Sequence, residues 1–365
     1  VGVVLYLALV VPRGTLHIYD PIKNRTQSIG GIPEGIVVAA GMLNKIERGL
    51  TDIVSTAGDP MSYQKQAGGV GFDMLYNLGS RGILLTDKYL NISLRNYVED
   101  CVMFELARPG TTLDINALAK NTDFRPLFEK AAASAIFTTY YDDANKAGVT
   151  MSCALAWLSL ELLISDDTKY NDSIKARCAE AGFDPTVPAE LSMCEDTLAD
   201  PLSWMQGASY SVYDVFRQTL FAQSLNDVLL SGSPDTAASV LASRNSGTSM
   251  ITTAVTANQF IPLIRAVMTA IAIGLVPFMF LFVPTPLYQK AIGIVAGFFI
   301  WVTAWGVTDA IVHQFAVDFG RKAFDEVTRH ELGVVAITNF STASLKTLAI
   351  FGSLRWSGLM LATVI

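Results

Sequence analysis

Four residues of one apolar stretch are spaced for chemistry. Trp301, Trp305, Asp309 and His313 recur every four residues, which sets them in a slowly drifting stripe on one helix face. Arg265 stands one turn into a second apolar run, and Arg355 stands midway along a third. Ionisable groups inside such runs are expensive and face protein or water. The set therefore reads as a polar seam lining a channel or a subunit interface. The plain alternative places Asp309 and His313 at an interfacial end: counted from Ala291, Asp309 is about 27 Å along a helix, close to the far edge of a bilayer core. Arg355 is too deep to snorkel easily, and pairing with Asp309 would neutralise both.

The remaining candidates point away from catalysis. Gln66-Ala-Gly-Gly-Val-Gly71 has neither the spacing of a dinucleotide fingerprint nor a Walker lysine, and reads as a bend or a close helix contact. Arg329-His330-Glu331 is followed by no second histidine. Asp142-Asp143 and Asp166-Asp167 lie in polar segments without nearby histidines and read as solvated turns. There is no G-x-S-x-G. No enzyme activity, metal or cofactor is expected.

Cys101, Cys153, Cys178 and Cys194 all fall in the polar part of the chain, with no C-x-x-C spacing and no clustering with His17, His313 or His330. An even count in an extramembrane region suggests two disulfides and an oxidising compartment. Of three possible connectivities, Cys178–Cys194 is favoured because Gly182, Pro185 and Pro188 let the intervening chain double back. That leaves Cys101–Cys153. Four reduced core cysteines are the alternative.

The elements that must carry these residues follow from hydropathy. Ile261–Val283 and Ala291–Ile311 are each long enough to cross a bilayer, and Pro284–Lys290 between them allows only a tight hairpin. Leu345–Ile365 reads as a further span. Val1–Pro12 is apolar but short, and is expected to be the last half of a truncated transmembrane helix; a buried strand is the alternative. Gly293 and Gly297 form a G-x-x-x-G step, with Gly306 further along, where small residues allow close helix contacts. Residues 13–257 form the polar block, expected to be mostly helical: Ile32–Thr56 starting at Pro33-Glu34, one or two helices over Leu84–Leu106, a start at Thr111–Asp114, a packed core helix at Val149–Ile164, and a packed helix at Trp204–Leu230. Ser243–Thr256 reads as the approach to the membrane.

Charge agrees with this division. Residues 13–257 hold 28 acidic and 19 basic residues, whereas 258–365 hold 5 and 7. The acidic block argues against direct DNA binding, since phosphate backbones select for Lys and Arg. The expected fold class is mostly α: a polytopic α-helical membrane protein with a large, mainly helical periplasmic domain stapled by disulfides. Its divisions are 1–12, 13–257 and 258–365. The cysteines carry the topology, because the positive-inside rule has only Lys290 to weigh.

Six collinear stretches carry a family resemblance. They are Val11-Pro-Arg-Gly-Thr-Leu-His-Ile-Tyr-Asp20; Gly31-Ile-Pro33; Gly49-Leu-Thr51 leading into Ser62-Tyr63 and Gly68-Gly-Val-Gly71; Asn96-Tyr-Val-Glu-Asp-Cys101; Phe299-Ile-Trp-Val-Thr-Ala-Trp-Gly-Val-Thr-Asp-Ala310; and Leu354-Arg-Trp-Ser-Gly-Leu-Met-Leu-Ala362. Together they make the chain similar to the N-terminal domain of the TraG family of F-type conjugative type IV secretion. The resemblance implies an inner-membrane scaffold or channel subunit needed for pilus assembly and DNA transfer. It implies no catalytic residues, Cys101 as a disulfide partner, and Trp301, Trp305, Asp309 and Arg355 in recognisable membrane segments. The expected partners are further copies in a homo-oligomer, other secretion components of the inner membrane and periplasm, and membrane lipid, with translocated pilin or DNA engaged only indirectly. The rival from another class is a small-molecule or ion transporter using Arg265, Asp309, His313 and Arg355. It requires inverted repeats and broken helices, and the sequence has no repeat and only Pro277 as a break.

Overall fold

The computed structural model describes residues 2–20, 25–54, 63–66, 69–81, 83, 87–113, 123–206, 211–231, 285–329 and 344–358, with 256 and 260–282 apart from 262, 272, 276, 277 and 280. It is mostly helical and divides into two compact units. The first comprises 1–69, 250–319 and 348–365, and the second 70–249 and 320–347. Residues 13–69 thus cluster with the apolar C-terminal segments rather than with the rest of the polar block.

In the first unit, α1 (Gly2–Leu9) leads into an antiparallel ribbon of β1 (Arg13–Asp20) and β2 (Arg25–Pro33), with a register shift at Gly14/Thr15. The helical expectation for the polar block did not include this ribbon. Its alternation places Leu16, Ile18 and Ile29 on one face and Thr15, His17 and Ser28 on the other, where His17 Nδ1 and Ser28 Oγ are 2.8 Å apart. Then α2 (Glu34–Val54) starts where Pro33 ends β2, two residues after the expected start at Ile32, while the expected end at Thr56 lies outside the described residues. A short α3 (Tyr63–Gln66) has its last carbonyl accepting from the Gly69 amide at 2.8 Å; the φ of 73° at Gly69 favours glycine, and the Phe351 ring lies 3.2 Å from where a Cβ would sit. The expected close contact at Gln66–Gly71 is this one.

The second unit opens with α4 (Val70–Arg81) and α5 (Lys88–Tyr97). The latter continues through a π-turn at Val98–Val102 into α6 (Met103–Ala107). After α7 (Arg125–Glu129), β3 (Phe137–Tyr140) pairs antiparallel with β4 (Val149–Ser152). The helix expected from Val149 therefore begins only at Cys153: β-branched Val149 and Thr150 join the ladder, and Ser152 caps α8 (Cys153–Ile164) by accepting from the Leu155 amide. One face of α8 is buried, including Trp157 and Leu160, while Leu155, Leu158 and Leu162 are exposed. A 3₁₀ turn leads to α9 (Asn171–Glu180), α10 (Pro188–Gln206) and α11 (Val212–Ser231). The single helix expected over Trp204–Leu230 is two. A second start is built at Ser211, whose Oγ accepts from the Asp214 amide at 3.1 Å and donates to its carboxylate at 2.7 Å.

An aromatic core holds this unit. Trp157 packs on Tyr97 (5.4 Å between centroids), Phe128 and Phe221, and Phe128 meets Phe221 edge-on at 4.9 Å. Tyr97 Oη donates to the Phe128 carbonyl at 2.7 Å, so its polar tip is satisfied inside the core. The disulfides are Cys101–Cys153 and Cys178–Cys194. The first ties the π-turn to the start of α8. The second ties α9 to α10 across the turn at Gly182, which has φ 84°.

Asp87 caps α5 by accepting from the Tyr89 and Leu90 amides, and it pairs with Lys169 at 2.9 Å. Burial alone would raise its pKa, but Lys169 and the capping amides hold it below the ordinary carboxylate value. A depressed folded pKa adds stability that is present above the unfolded value and lost as pH falls through the folded one. Asp87→Asn keeps a capping side chain and removes the charge. It is expected to flatten the loss of stability between about pH 5 and 3. Chemical denaturation across that range checks this, and an unchanged acid limb would refute the pairing as its source.

Candidate functional site

The site lies in the first unit, along α12 (Tyr288–Arg329), an unbroken helix of 42 residues. The span expected to stop at Ile311 continues, because Val312–Phe319 contains no proline or glycine and keeps an apolar face. Among the described residues this is the one helix long and apolar enough to cross a membrane, over Tyr288–Ala323. A shorter apolar helix, Leu263–Leu275, runs antiparallel beside it: Ile261 packs on Trp305, Arg265 reaches the Val302 carbonyl at 3.4 Å, and Ile273 packs near Phe299 and Val295. This is the hairpin the short linker demands. Residues 344–358 are helical and also antiparallel to α12, with Phe351 beside His313 and Arg355 beside Asp309. The remainder of the expected span, 359–365, lies outside the described residues, as do Asp114 of the expected helix start, His330-Glu331 and 243–255.

The stripe of four faces the chain's own helices. Trp305 and His313 are buried, Trp301 is half-buried against Trp305 (5.2 Å), and Asp309 is 11% exposed. Asp309 and Arg355 form a two-pronged ion pair. Arg355 Nε donates to Oδ1 at 2.9 Å and Nη2 to Oδ2 at 2.8 Å, and the guanidinium is 4% exposed. Tyr63 Oη donates to Asp309 Oδ2 at 2.8 Å, and its ring stands edge-on to His313 at 5.6 Å. Burial first, and the Asp309 carboxylate next, push the Tyr63 phenol well up, so it stays a donor.

A second pair lies close by. Arg265 Nη2 donates to Glu47 Oε1 at 2.5 Å, and both side chains are largely shielded. Gly306 makes room for this pair: a Cβ there would collide with Glu47 Oε1 and lie 2.5 Å from Arg265 Nη2. By contrast, nothing among the described residues lies within 4 Å of a Cβ at Gly293 or Gly297, so of these three glycines it is Gly306 that makes a close contact. Gly306→Ala is therefore expected to cost about 1–3 kcal/mol by overpacking, whereas Gly297→Ala stays within about 0.5 kcal/mol of the parent. Unfolding in detergent checks this, and equal effects would contradict the geometry.

The arrangement joins segments distant in sequence by neutral ionic pairs: Glu47 with Arg265, and Tyr63 and Arg355 with Asp309. Two members were not singled out from sequence. Glu47 does leave a trace, a carboxylate four residues after Leu43 on the packing face of α2. Tyr63 leaves none, because only the fold brings it to Asp309. Among the described residues no group of three or more His, Cys, Asp or Glu is placed to hold a metal. The four cysteines are all in disulfides and belong to the second unit.

Compared with known families, the chain matches the one described as TraG-like protein, N-terminal region, over residues 1–365. No curated protein matches it, and no solved structure does.

Proposed function

The chain belongs to the family of TraG-like N-terminal regions and is a conjugation-related TraG protein, and from that premise we propose that it is an inner-membrane scaffold or channel subunit of a conjugative type IV secretion system, serving pilus assembly and DNA transfer without chemistry of its own. In this reading the apolar segments of the first unit are a polytopic membrane domain, and the disulfide-bearing second unit is periplasmic. Further copies of the chain and other secretion components surround it, and pilin or DNA is met only through that assembly.

The observation that carries the proposal is the internal pairing along α12. The shielded charges Asp309 and Arg265 are each matched by a partner from another segment, Asp309 by Arg355 and Arg265 by Glu47. Such pairs fix how helices pack within an apolar medium. A transporter would instead present its charges to a substrate near a helix break, whereas α12 is continuous through the site. Support also comes from the cysteines, since two disulfides fit an oxidising compartment.

The test is mass analysis of the detergent-extracted assembly, with and without reductant and with free thiols labelled. A closed oligomer without labelled thiols is the expected result. A monomer carrying four labelled cysteines would sink both the ring and the periplasmic placement.

A further inference from the structure

We infer that the hairpin of apolar helices holds an anionic phospholipid, with one acyl chain in a groove between Leu263–Leu275 and α12 and the phosphate at Lys290. This rests on the membrane reading proposed above and deepens it: that reading supplies a surrounding medium, whereas this names a lipid class and its site.

Helical spacing builds the groove. Met268, Ile271 and Leu275 recur at three and four residues, with Met279 four further on, so they stand in one stripe. Ile294 and Phe298 of α12 form the facing wall. The closed seam of the hairpin lies on another side, where Ile273 joins Val295, Phe299 and Ile36. The cavity between the walls measures about 270 Å³ and is lined almost wholly by apolar atoms. Ile271, Leu275 and Ile294 are each more than half exposed along it. Methionine stands at both ends of the stripe, and its unbranched, flexible side chain adapts to an irregular occupant.

Dimensions select a single chain. From Lys290 to Phe299 the wall on α12 is about 13 Å long, and one leaflet of a hydrocarbon core is about 15 Å deep. A helix of that length, 10–12 Å across, would fill on the order of 1,000 Å³, so the cavity is too small to take one. A methylene chain entering from the hairpin end fits it lengthwise. Lipid tails are as apolar as these side chains, so the chain gains only packing there. Selection must come from the headgroup.

Charge supplies that selection. Between Arg265 and Asp309 the sequence has one charged residue, Lys290. Lys290 is exposed and stands one turn before Ile294 on the same face of α12, with its stem leaning toward the helix start. Tyr288 beside it marks the same headgroup level. The other cation of the hairpin, Arg265, is engaged by Glu47. A lysine at this level attracts phosphate, and a lipid of net negative charge brings no ammonium of its own to oppose it. One lysine near a membrane surface favours anionic lipid about fivefold.

The full chain is placed in nanodiscs of phosphatidylcholine with a minor fraction of phosphatidylglycerol, one acyl chain of which ends in a photoactivatable diazirine. Phosphatidylcholine carrying the same chain is the comparison, and crosslinked residues are mapped by mass spectrometry. Insertion is expected to gather on Met268, Ile271 and Phe298, the end of the groove farthest from Lys290, with phosphatidylglycerol about fivefold ahead. Lys290→Gln is expected to bring the two lipids level while insertion persists. Ile294→Trp is expected to lower insertion from either lipid, whereas Ile300→Trp, on exposed surface outside the groove, leaves it unchanged. Insertion spread evenly over the groove and Ile300, alike for both lipids, would reduce the occupant to bulk lipid. Insertion at Ile300 with none in the groove would mean that protein covers it, from this chain or another copy. A preference that survives Lys290→Gln would remove the headgroup from that residue. Each of these overturns the inference and leaves the membrane reading standing. No insertion anywhere on α12 would take down both. The parent alone gives the map and the lipid comparison, so a tryptophan variant that fails to fold does not remove the test.

Discussion

Replacing Arg355 by leucine is expected to destabilise the protein by about 3–5 kcal/mol, because it strands the Asp309 carboxylate in a buried site. The pair is nearly closed to solvent, at 4% and 11% exposure, so neither charge can be rehydrated without opening the helix packing. Asp309→Leu should cost a similar amount, with the Tyr63 hydroxyl also losing its acceptor. The informative variant removes both charges. A buried ion pair exchanged for apolar side chains of similar volume is often neutral or stabilising, so Asp309→Leu/Arg355→Leu should recover at least about 2 kcal/mol over either single change. Unfolding in detergent micelles gives the cycle directly. Additive single effects would mean that the two residues act independently, and the site as described would be wrong.

The second large effect concerns the disulfides. Cys101 and Cys153 are fully buried and close 52 residues of chain, whereas Cys178 and Cys194 close 16. Chain entropy then favours the longer link, about 4 kcal/mol against about 3. The longer link also anchors α8, whose Trp157 packs against Tyr97, Phe128 and Phe221. Cys101→Ala/Cys153→Ala should therefore lower the denaturation midpoint more than Cys178→Ala/Cys194→Ala, and reductant should cost the parent more than it costs the Cys101/Cys153 variant. Equal midpoints for the two variants would argue that the aromatic core positions α8 unaided.

Much of the architecture was legible because it rests on local signals. The helices at Glu34–Val54 and Lys88–Ala107 follow apolar periodicity and end near proline or glycine. The hairpin of apolar helices follows from two long runs and a short linker. Elsewhere the deciding signal is also local but weaker. Val149–Ser152 is apolar enough to join a helix, yet β3 offers it a ladder. The break before Val212 turns on one serine cap. The ribbon Arg13–Pro33 alternates only partly, with glycines in both strands, and so carries a weak β signal.

The sequence by itself determined the class of the molecule: long apolar runs, an acidic block with four cysteines, charges set deep in apolar stretches, and the stripe Trp301–His313. These are properties of composition and spacing, which survive without coordinates. Only the tertiary structure decided which charges meet. Tyr63 and Asp309 are 246 residues apart, and Glu47 and Arg265 are 218 apart. Pairing at such separation is selected by packing and by the expense of an unmatched charge in an apolar surrounding, and neither of these has a local period to read.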